Sequence, residues 1–165
     1  MMKKITQIIL VLCLCISLKG QAQITKIDTF SDKIKNLTAV DRERIETLFF
    51  GLSPRFQIQG ANSQAEKRPV KIVELNDEYI DQLKNINFSG QFQEAEVISI
   101  AYKKGHVLPL TPEHLLQFKN LKYILIRSFD NISVDELKDV LKELFSSSLV
   151  SDQIEIISLK MEQES

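Results

Sequence analysis

Short apolar runs rich in isoleucine and valine recur along the chain, separated by more polar segments. The runs lie at 70–75, 96–102, 122–128 and 153–159. Apolar runs of this length and composition predict buried β-strands. Phe56 and Ile58 alternate with polar neighbours in the segment 55–59, which predicts an additional strand at the edge of a sheet.

The segments between these runs carry residues that start helices. The four candidate starts are Thr38 with Asp41, Asn76 before 77–83, Thr111 before Pro112, and Ser133 with Glu136 as a capping box. Apolar residues follow Ser133 at helical spacing, and Leu137, Leu141 and Leu144 are predicted to pack against the strands. Parallel neighbours need a crossover connection, because a tight hairpin can join only antiparallel strands. Strands that alternate with helices therefore predict parallel β-α units. The sequence therefore predicts an α/β fold with a small, mostly parallel sheet.

In such a sheet, the strands at 96–102, 122–128 and 153–159 are expected to lie side by side. Ile98, Ile124 and Ile157 are then expected to form a row that faces the helices, because alternate residues of a strand share a face. A polar segment over 60–68 is predicted to be a loop.

The four apolar runs share a finer spacing, apolar-x-x-apolar-x-apolar. The instances are Val70, Val73 and Leu75; Ala95, Ile98 and Ile100; Leu121, Ile124 and Ile126; and Ile154, Ile157 and Leu159. This spacing resembles the leucine-rich repeat, whose units of about 20–29 residues carry L-x-x-L-x-L. The positions of that family's asparagine hold Glu78, Lys103, Phe129 and Glu162. Two architectures therefore stay open, an open α/β sheet and a short, irregular leucine-rich-repeat-like solenoid.

The resemblance to leucine-rich repeats implies one sheet face that helices do not cover. Val97, Ser99, Tyr123 and Leu125 would lie on that face, where Tyr123 and Leu125 would form an exposed apolar patch. Exposed apolar patches usually mark partner surfaces, so these two residues are the candidate surface for an unknown protein or envelope partner. In the alternative architecture, helices cover both faces and the same residues are buried.

The N-terminal segment has the organisation of a secretory signal peptide. Lys3 and Lys4 precede an uncharged, mostly apolar run over 5–18, which is shorter than the roughly 20 apolar residues that a membrane span needs. Small residues precede a cleavage site after Ala22, and this ending resembles signal peptides of exported Bacteroidetes proteins. We therefore expect a signal peptide over 1–22 and a single α/β domain over 23–165. The expected location is secreted or periplasmic, with no transmembrane segment in the mature chain.

The charge and the cysteine content of the chain limit the classes of protein to which it can belong. The chain has 21 basic and 22 acidic residues, and the expected cleavage removes Lys3, Lys4 and Lys19, which leaves 18 basic residues and a net charge of −4. Such a chain lacks the excess positive charge of a nucleic-acid-binding protein. Both cysteines, Cys13 and Cys15, lie in the expected leader, so the mature chain has neither a thiol nucleophile nor a cysteine metal ligand.

Sequence motifs that indicate catalysis are sparse. The chain contains no phosphate-binding glycine loop, no G-x-S-x-G nucleophile elbow and no H-E-x-x-H motif, so no cofactor is predicted. His106 and His114, with a carboxylate such as Glu113, are candidates for a zinc or acid–base site. A metal site normally needs three or four ligands, and the sequence names no convincing third ligand, so no metal is predicted. The sequence therefore favours an exported bacterial protein with a non-catalytic binding or interaction role. A secreted hydrolase or other enzyme with a site near His106 and His114 is the alternative.

Overall fold

The computed structural model describes residues 27–60, 69–85, 89–145 and 154–162, which contain a six-stranded, all-parallel, open sheet. The strands are β1 (Ile27–Thr29), β2 (Arg55–Ile58), β3 (Ile72–Asn76), β4 (Val97–Ala101), β5 (Tyr123–Ser128) and β6 (Glu155–Lys160). Their order across the sheet is β1-β6-β5-β4-β3-β2. The strands β2 to β6 therefore follow one another both along the chain and across the sheet, and β1 lies beyond β6 at the opposite edge from β2.

Helices are interspersed between the strands. They are α1 (Phe30–Lys35), α2 (Ala39–Phe50), α3 (Ser89–Phe92), α4 (Val134–Val140) and α5 (Lys142–Phe145), together with the 3₁₀ helices η1 (Asp77–Lys84) and η2 (Pro112–Leu115). The predicted α/β fold with its parallel sheet is confirmed, and so is the predicted edge strand, β2. The expected leader over 1–22 and most of the predicted loop, 61–68, lie outside the described residues.

The ends of α2 follow from its sequence. The Oγ1 of Thr38 accepts a hydrogen bond from the backbone N–H of Asp41 at 3.2 Å, as expected of an N-cap. At the other end, a Cβ added to Gly51 would lie 2.4 Å from the carbonyl oxygen of Thr47. Since real Cβ atoms do not approach an oxygen so closely, glycine is the residue that allows the chain to leave the helix here.

The other predicted helix starts are also occupied by helices, but the helices that follow Asn76 and Thr111 are 3₁₀ helices. Ser133 and Glu136 form the capping box: the Ser133 Oγ accepts from the Glu136 N–H at 3.2 Å, and the Glu136 carboxylate accepts from the Ser133 N–H at 2.8 Å. Asn76 precedes η1, but its side chain makes no capping hydrogen bond and the element is a 3₁₀ helix. The predicted helix after Asn76 therefore exists, but as a 3₁₀ helix without a side-chain cap.

One face of the sheet carries the larger of two apolar clusters, which we call the main core. A row of directly paired residues crosses it. The row consists of Phe56, Val73, Ile98, Ile124 and Ile156. Leu137, Leu141 and Leu144 are fully buried in the main core, which confirms the predicted docking of the helices that follow Ser133.

The predicted row of Ile98, Ile124 and Ile157 is wrong in its last member. Ile156 lies opposite Ile124, and Ile157 lies opposite Leu125 on the other face. Successive strand residues point to opposite faces, so a shift of one residue moves a side chain through the sheet. Because β6 is apolar at both Ile156 and Ile157, hydrophobicity alone did not fix which of them faces the main core.

The opposite face carries the second core, which α2 covers. Ile45 and Phe49 of α2 cluster there with the strand residues Ile72, Val97, Leu125 and Ile157. Leu125 is only 3% exposed, and the ring of Tyr123 packs on Phe49 with 5.4 Å between the centroids. The expected exposed patch at Tyr123 and Leu125 is therefore wrong, and the alternative in which helices cover both faces is correct. The reason is topological: β1 and β2 lie at opposite edges, and α2 lies on this face in the segment that joins them.

Candidate functional site

The second core is incomplete toward the carboxyl ends of the strands, where it gives way to a cleft of about 480 Å³. We call this cleft the α2 groove. It is lined by Phe49, Phe50, Arg55, Glu74, Ser99, Leu125, Arg127, Leu159, Met161 and Glu162. Clefts of this volume suit small molecules.

Two of the charged groups in the α2 groove neutralise each other. The Nη1 of Arg55 donates to the Glu74 carboxylate at 2.6 Å. The Nη2 of the same side chain donates to the carbonyl oxygens of Phe49 and Gly51, at 2.5 and 3.3 Å. Arg55 therefore caps the carboxyl end of α2 and fixes that helix to β3, which makes this pair part of the wall of the groove.

Two further polar side chains in the α2 groove have buried atoms without a partner among the described residues. They are the Oγ of Ser99 and the Nε of Arg127. Ser99 is 1% exposed, and Arg127 is partly buried. Most buried side-chain polar atoms in proteins have a hydrogen-bond partner, so two unpaired ones in a single cleft require an explanation.

The strand register places these two groups on the same face. Ser99 lies opposite Leu125, and Arg127 lies opposite Ala101 on the neighbouring strand. Ser99 and Arg127 are therefore diagonal neighbours across β4 and β5, a separation that a long side chain can span. Ser99 lies on the face predicted for it from the sequence.

His106 lies in a neighbouring cleft of about 350 Å³ that shares Arg127 and Met161 with the α2 groove. Its Nδ1 is 3.2 Å from the Oδ2 of Asp77, which also accepts from the backbone N–H of Lys103 at 3.1 Å. His106 remains about half exposed, with 51% of its side chain accessible. Asp77 thus orients an accessible imidazole, but among the described residues no third metal-ligating group joins them.

His114 is placed quite differently, because it is 1% exposed and lines neither the α2 groove nor the cleft of His106. Its Nδ1 accepts from the backbone N–H of Thr111 at 3.0 Å, and its Nε2 lies 3.2 Å from the Oδ1 of Asp81. A backbone N–H can only donate, so the Nε2 carries the proton and donates to Asp81. His114 therefore joins η2 to η1, and the structure does not bring it into one site with His106. Glu113 faces Lys84 at 3.8 Å instead.

A third cleft, of about 320 Å³, lies between β1, β6 and β5 on the main-core side. Two of its hydroxyl groups have backbone partners: the Ser128 Oγ accepts from the backbone N–H of Asp130 at 3.2 Å, and the Thr29 Oγ1 accepts from the N–H of Asp32 at 3.1 Å. These bonds stabilise a turn and the start of α1, so this cleft is a weaker candidate than the α2 groove.

A cluster of charged side chains at the amino ends of the strands has a structural role, because its members pair with one another. The Glu96 carboxylate lies 2.6 Å from the Nζ of Lys122 and 3.1 Å from the Nζ of Lys71. Burial is the largest single influence and acts to raise the pKa of Glu96, but the hydrogen bonds from the two lysines outweigh it and hold that pKa below its ordinary value. The three side chains tie together β3, β4 and β5 and leave no unpaired charge on the carboxylate.

Sequence reasoning did not single out Arg127, and it noted Ser99 only for its place on a sheet face. A signal was available, since both are polar residues inside otherwise apolar, buried strands. The sequence alone does not show whether a distant segment provides a hydrogen-bond partner for such a residue. In this fold, the described segments provide none.

Comparisons with known proteins do not indicate a family for this chain. Searches against protein-family models, curated proteins and solved structures gave no match. The resemblance to leucine-rich repeats thus stays a prediction from the spacing of apolar residues. Within the described residues, none of the helices combines the length and the apolar character that crossing a membrane requires.

Proposed function

We propose that this chain is an exported bacterial protein with a non-catalytic binding role, and that its ligand occupies the α2 groove. The observation that carries the proposal is the pair of unpartnered buried groups, the Ser99 Oγ and the Arg127 Nε. Leaving a buried polar group unpaired costs about 1–3 kcal/mol, and a ligand that accepts hydrogen bonds from both would remove this cost. The groove also lies toward the carboxyl ends of parallel strands, where ligands of open α/β sheets bind.

The contents of the groove favour binding over catalysis. A serine nucleophile needs an adjacent base, and the Oγ of Ser99 has no hydrogen-bond partner in the described part of the chain. The Glu74 carboxylate is held by Arg55 at 2.6 Å and is not directed at Ser99 by any hydrogen bond described here. The rival hydrolase would need His106 and His114 together, whereas one lines a cleft and the other is buried against Asp81.

The cellular part of the proposal depends on the sequence of the leader. The lysines, the uncharged run and the small residues before the cleavage site support export to the periplasm or beyond. A mature chain without cysteine is compatible with an oxidising compartment, because it has no thiol to oxidise.

A thermal-shift screen tests the binding role. The purified protein would be heated with a panel of neutral, cationic and anionic small molecules, and we expect at least one to raise the midpoint of unfolding in a saturable manner. The increase should disappear in Arg127→Met, which keeps the length of the side chain and removes its charge and donors. It should persist in His106→Gln, the matched control in the neighbouring cleft.

Two results would contradict the proposal. One is a panel in which no compound stabilises the wild-type protein. The other is stabilisation that disappears in His106→Gln, whatever its dependence on Arg127, because Arg127 lines both clefts and this loss would place the site in the cleft that Asp77 and His106 line.

A further inference from the structure

We infer that the ligand of the α2 groove carries a single carboxylate attached to an apolar group. This inference rests on the proposed function and names the chemical class of its ligand. It follows from the charges, the donors and the apolar side chains that line the groove.

The balance of charge in the α2 groove selects a monoanion. Arg55 is neutralised by Glu74 at 2.6 Å, so it offers no free positive charge. Arg127 forms no ion pair with a carboxylate of the described residues, which leaves one unmatched positive charge in the wall. Glu162 lies exposed at the groove, and its carboxylate opposes a second negative charge on a ligand. A dianion such as a phosphate monoester is therefore disfavoured relative to a carboxylate.

The donors of the groove match the two oxygens of a carboxylate. A guanidinium group presents planar N–H donors in a fixed geometry that pairs with carboxylates. The buried Nε–H of Arg127 is one such donor, and the hydroxyl of Ser99 on the adjacent strand supplies another. A carboxylate that accepts from both would satisfy the two groups that the folded chain leaves unpaired.

Apolar side chains occupy much of the remaining wall. Leu125, Leu159 and Met161 line the groove beside Arg127, and Phe49 and Phe50 line it from α2. Phe50 is 54% exposed although it is a large aromatic residue, and its ring stacks edge-on against Phe30 with 5.2 Å between the centroids. Burying an apolar group of the ligand against these side chains adds affinity that a bare carboxylate such as acetate lacks.

A matched series of probes tests the ligand class on the wild-type protein. The series is 3-phenylpropanoate, its neutral amide, the corresponding amine 3-phenylpropylamine, 2-phenylethyl phosphate, and acetate. Titration of isotope-labelled protein, followed by nuclear magnetic resonance, should show saturable binding of 3-phenylpropanoate with a shift of the Arg127 Nε–H resonance. We expect the amide, the phosphate and acetate each to bind about tenfold more weakly or worse, and the amine not to bind.

Variants then assign the donors. Arg127→Met should weaken binding of 3-phenylpropanoate by about tenfold or more, and Ser99→Ala should weaken it by a smaller factor of about three to ten. Lys160→Met removes one positive charge from the third cleft and is the matched control, for which we expect no change. The comparison of acid and amide on the wild-type protein keeps the test decisive even if Arg127→Met does not fold.

The outcomes separate failure of the ligand class from failure of the binding role. If the amide or the phosphate binds as tightly as the acid and binding still depends on Arg127, the ligand class is wrong and the binding role stands. If every member of both panels fails to bind, both are wrong. If Lys160→Met weakens binding as much as Arg127→Met does, the acid is attracted by general charge and the assignment to the groove is overturned.

Discussion

The two faces of this sheet are built from the same strands but are completed differently. The main core is apolar along a continuous row from Phe56 to Ile156, and its helices leave Leu137 and Leu141 fully buried. The second core is apolar under α2 only, and beyond Phe49 it contains the Arg55–Glu74 pair and two unpartnered polar groups.

This difference indicates that the two faces of the sheet contribute differently to the stability of the fold. Burial of aliphatic side chains without polar atoms stabilises the fold at no cost in unpaired hydrogen bonds. Polar atoms that are buried without a partner reduce stability, and proteins retain such groups mainly where they have a use. We therefore expect the main core to contribute most of the stability, and under the proposed function the unpartnered groups of the α2 groove are retained for a ligand.

The largest expected effect is in the main core. Leu141→Ala should reduce the free energy of unfolding by about 2–5 kcal/mol, because Leu141 is fully buried and truncation leaves a cavity. Leu116 is 69% exposed, so Leu116→Ala should change stability by no more than about 0.5 kcal/mol. Chemical denaturation measures both, and equal losses in the two variants would mean that the helices after Ser133 are not docked as described.

A smaller effect is expected at the start of α4. Ser133→Ala removes the side-chain half of the capping box and should cost about 1 kcal/mol, whereas Ser133→Asp should retain most of the stability because aspartate also caps helices. Denaturation of both variants at neutral pH checks this expectation. An aspartate variant as unstable as the alanine variant would show that the cap is not what the serine contributes.

The same capping box predicts a dependence on pH. The hydrogen bond from Lys104 and then that from the Ser133 N–H lower the pKa of Glu136 from its usual 4.5 to about 2. Because the folded pKa lies below the unfolded one, Glu136 contributes stability above about pH 4.5 and loses that contribution as the pH falls toward 2. Glu136→Gln should therefore flatten part of the stability profile in that window, and an unchanged slope would contradict the assignment.

The features that sequence predicted are those that depend on local chemistry. Apolar runs located the strands, and the Thr38 and Ser133 caps located two helices, because both signals involve neighbours within a few residues. The sequence did not predict correctly which side chains of β6 face the main core, because Ile156 and Ile157 are equally apolar. Pairing with β5 decides between them.

The candidate site depends on relations that are not local in the sequence. The path of α2 across the face follows from β1 and β2 lying at opposite edges, which no short window of sequence encodes. That path buries Leu125, partly buries Tyr123 and defines the groove in which Arg127 lies. The histidines illustrate the same limit, since their separate partners, Asp77 and Asp81, lie about thirty residues away on η1.

The most direct test of the difference between the faces compares two buried serines in the ligand-free protein. Ser99 and Ser128 are 1% and 3% exposed, but only Ser128 has a described partner, the N–H of Asp130 at 3.2 Å. Denaturation should show that Ser99→Ala leaves the free energy of unfolding within about 0.5 kcal/mol of wild type or raises it, while Ser128→Ala lowers it by about 0.5–1.5 kcal/mol. A loss in Ser99→Ala as large as that in Ser128→Ala would mean that the Ser99 hydroxyl is already bonded, and the account of the groove as a binding site would be wrong.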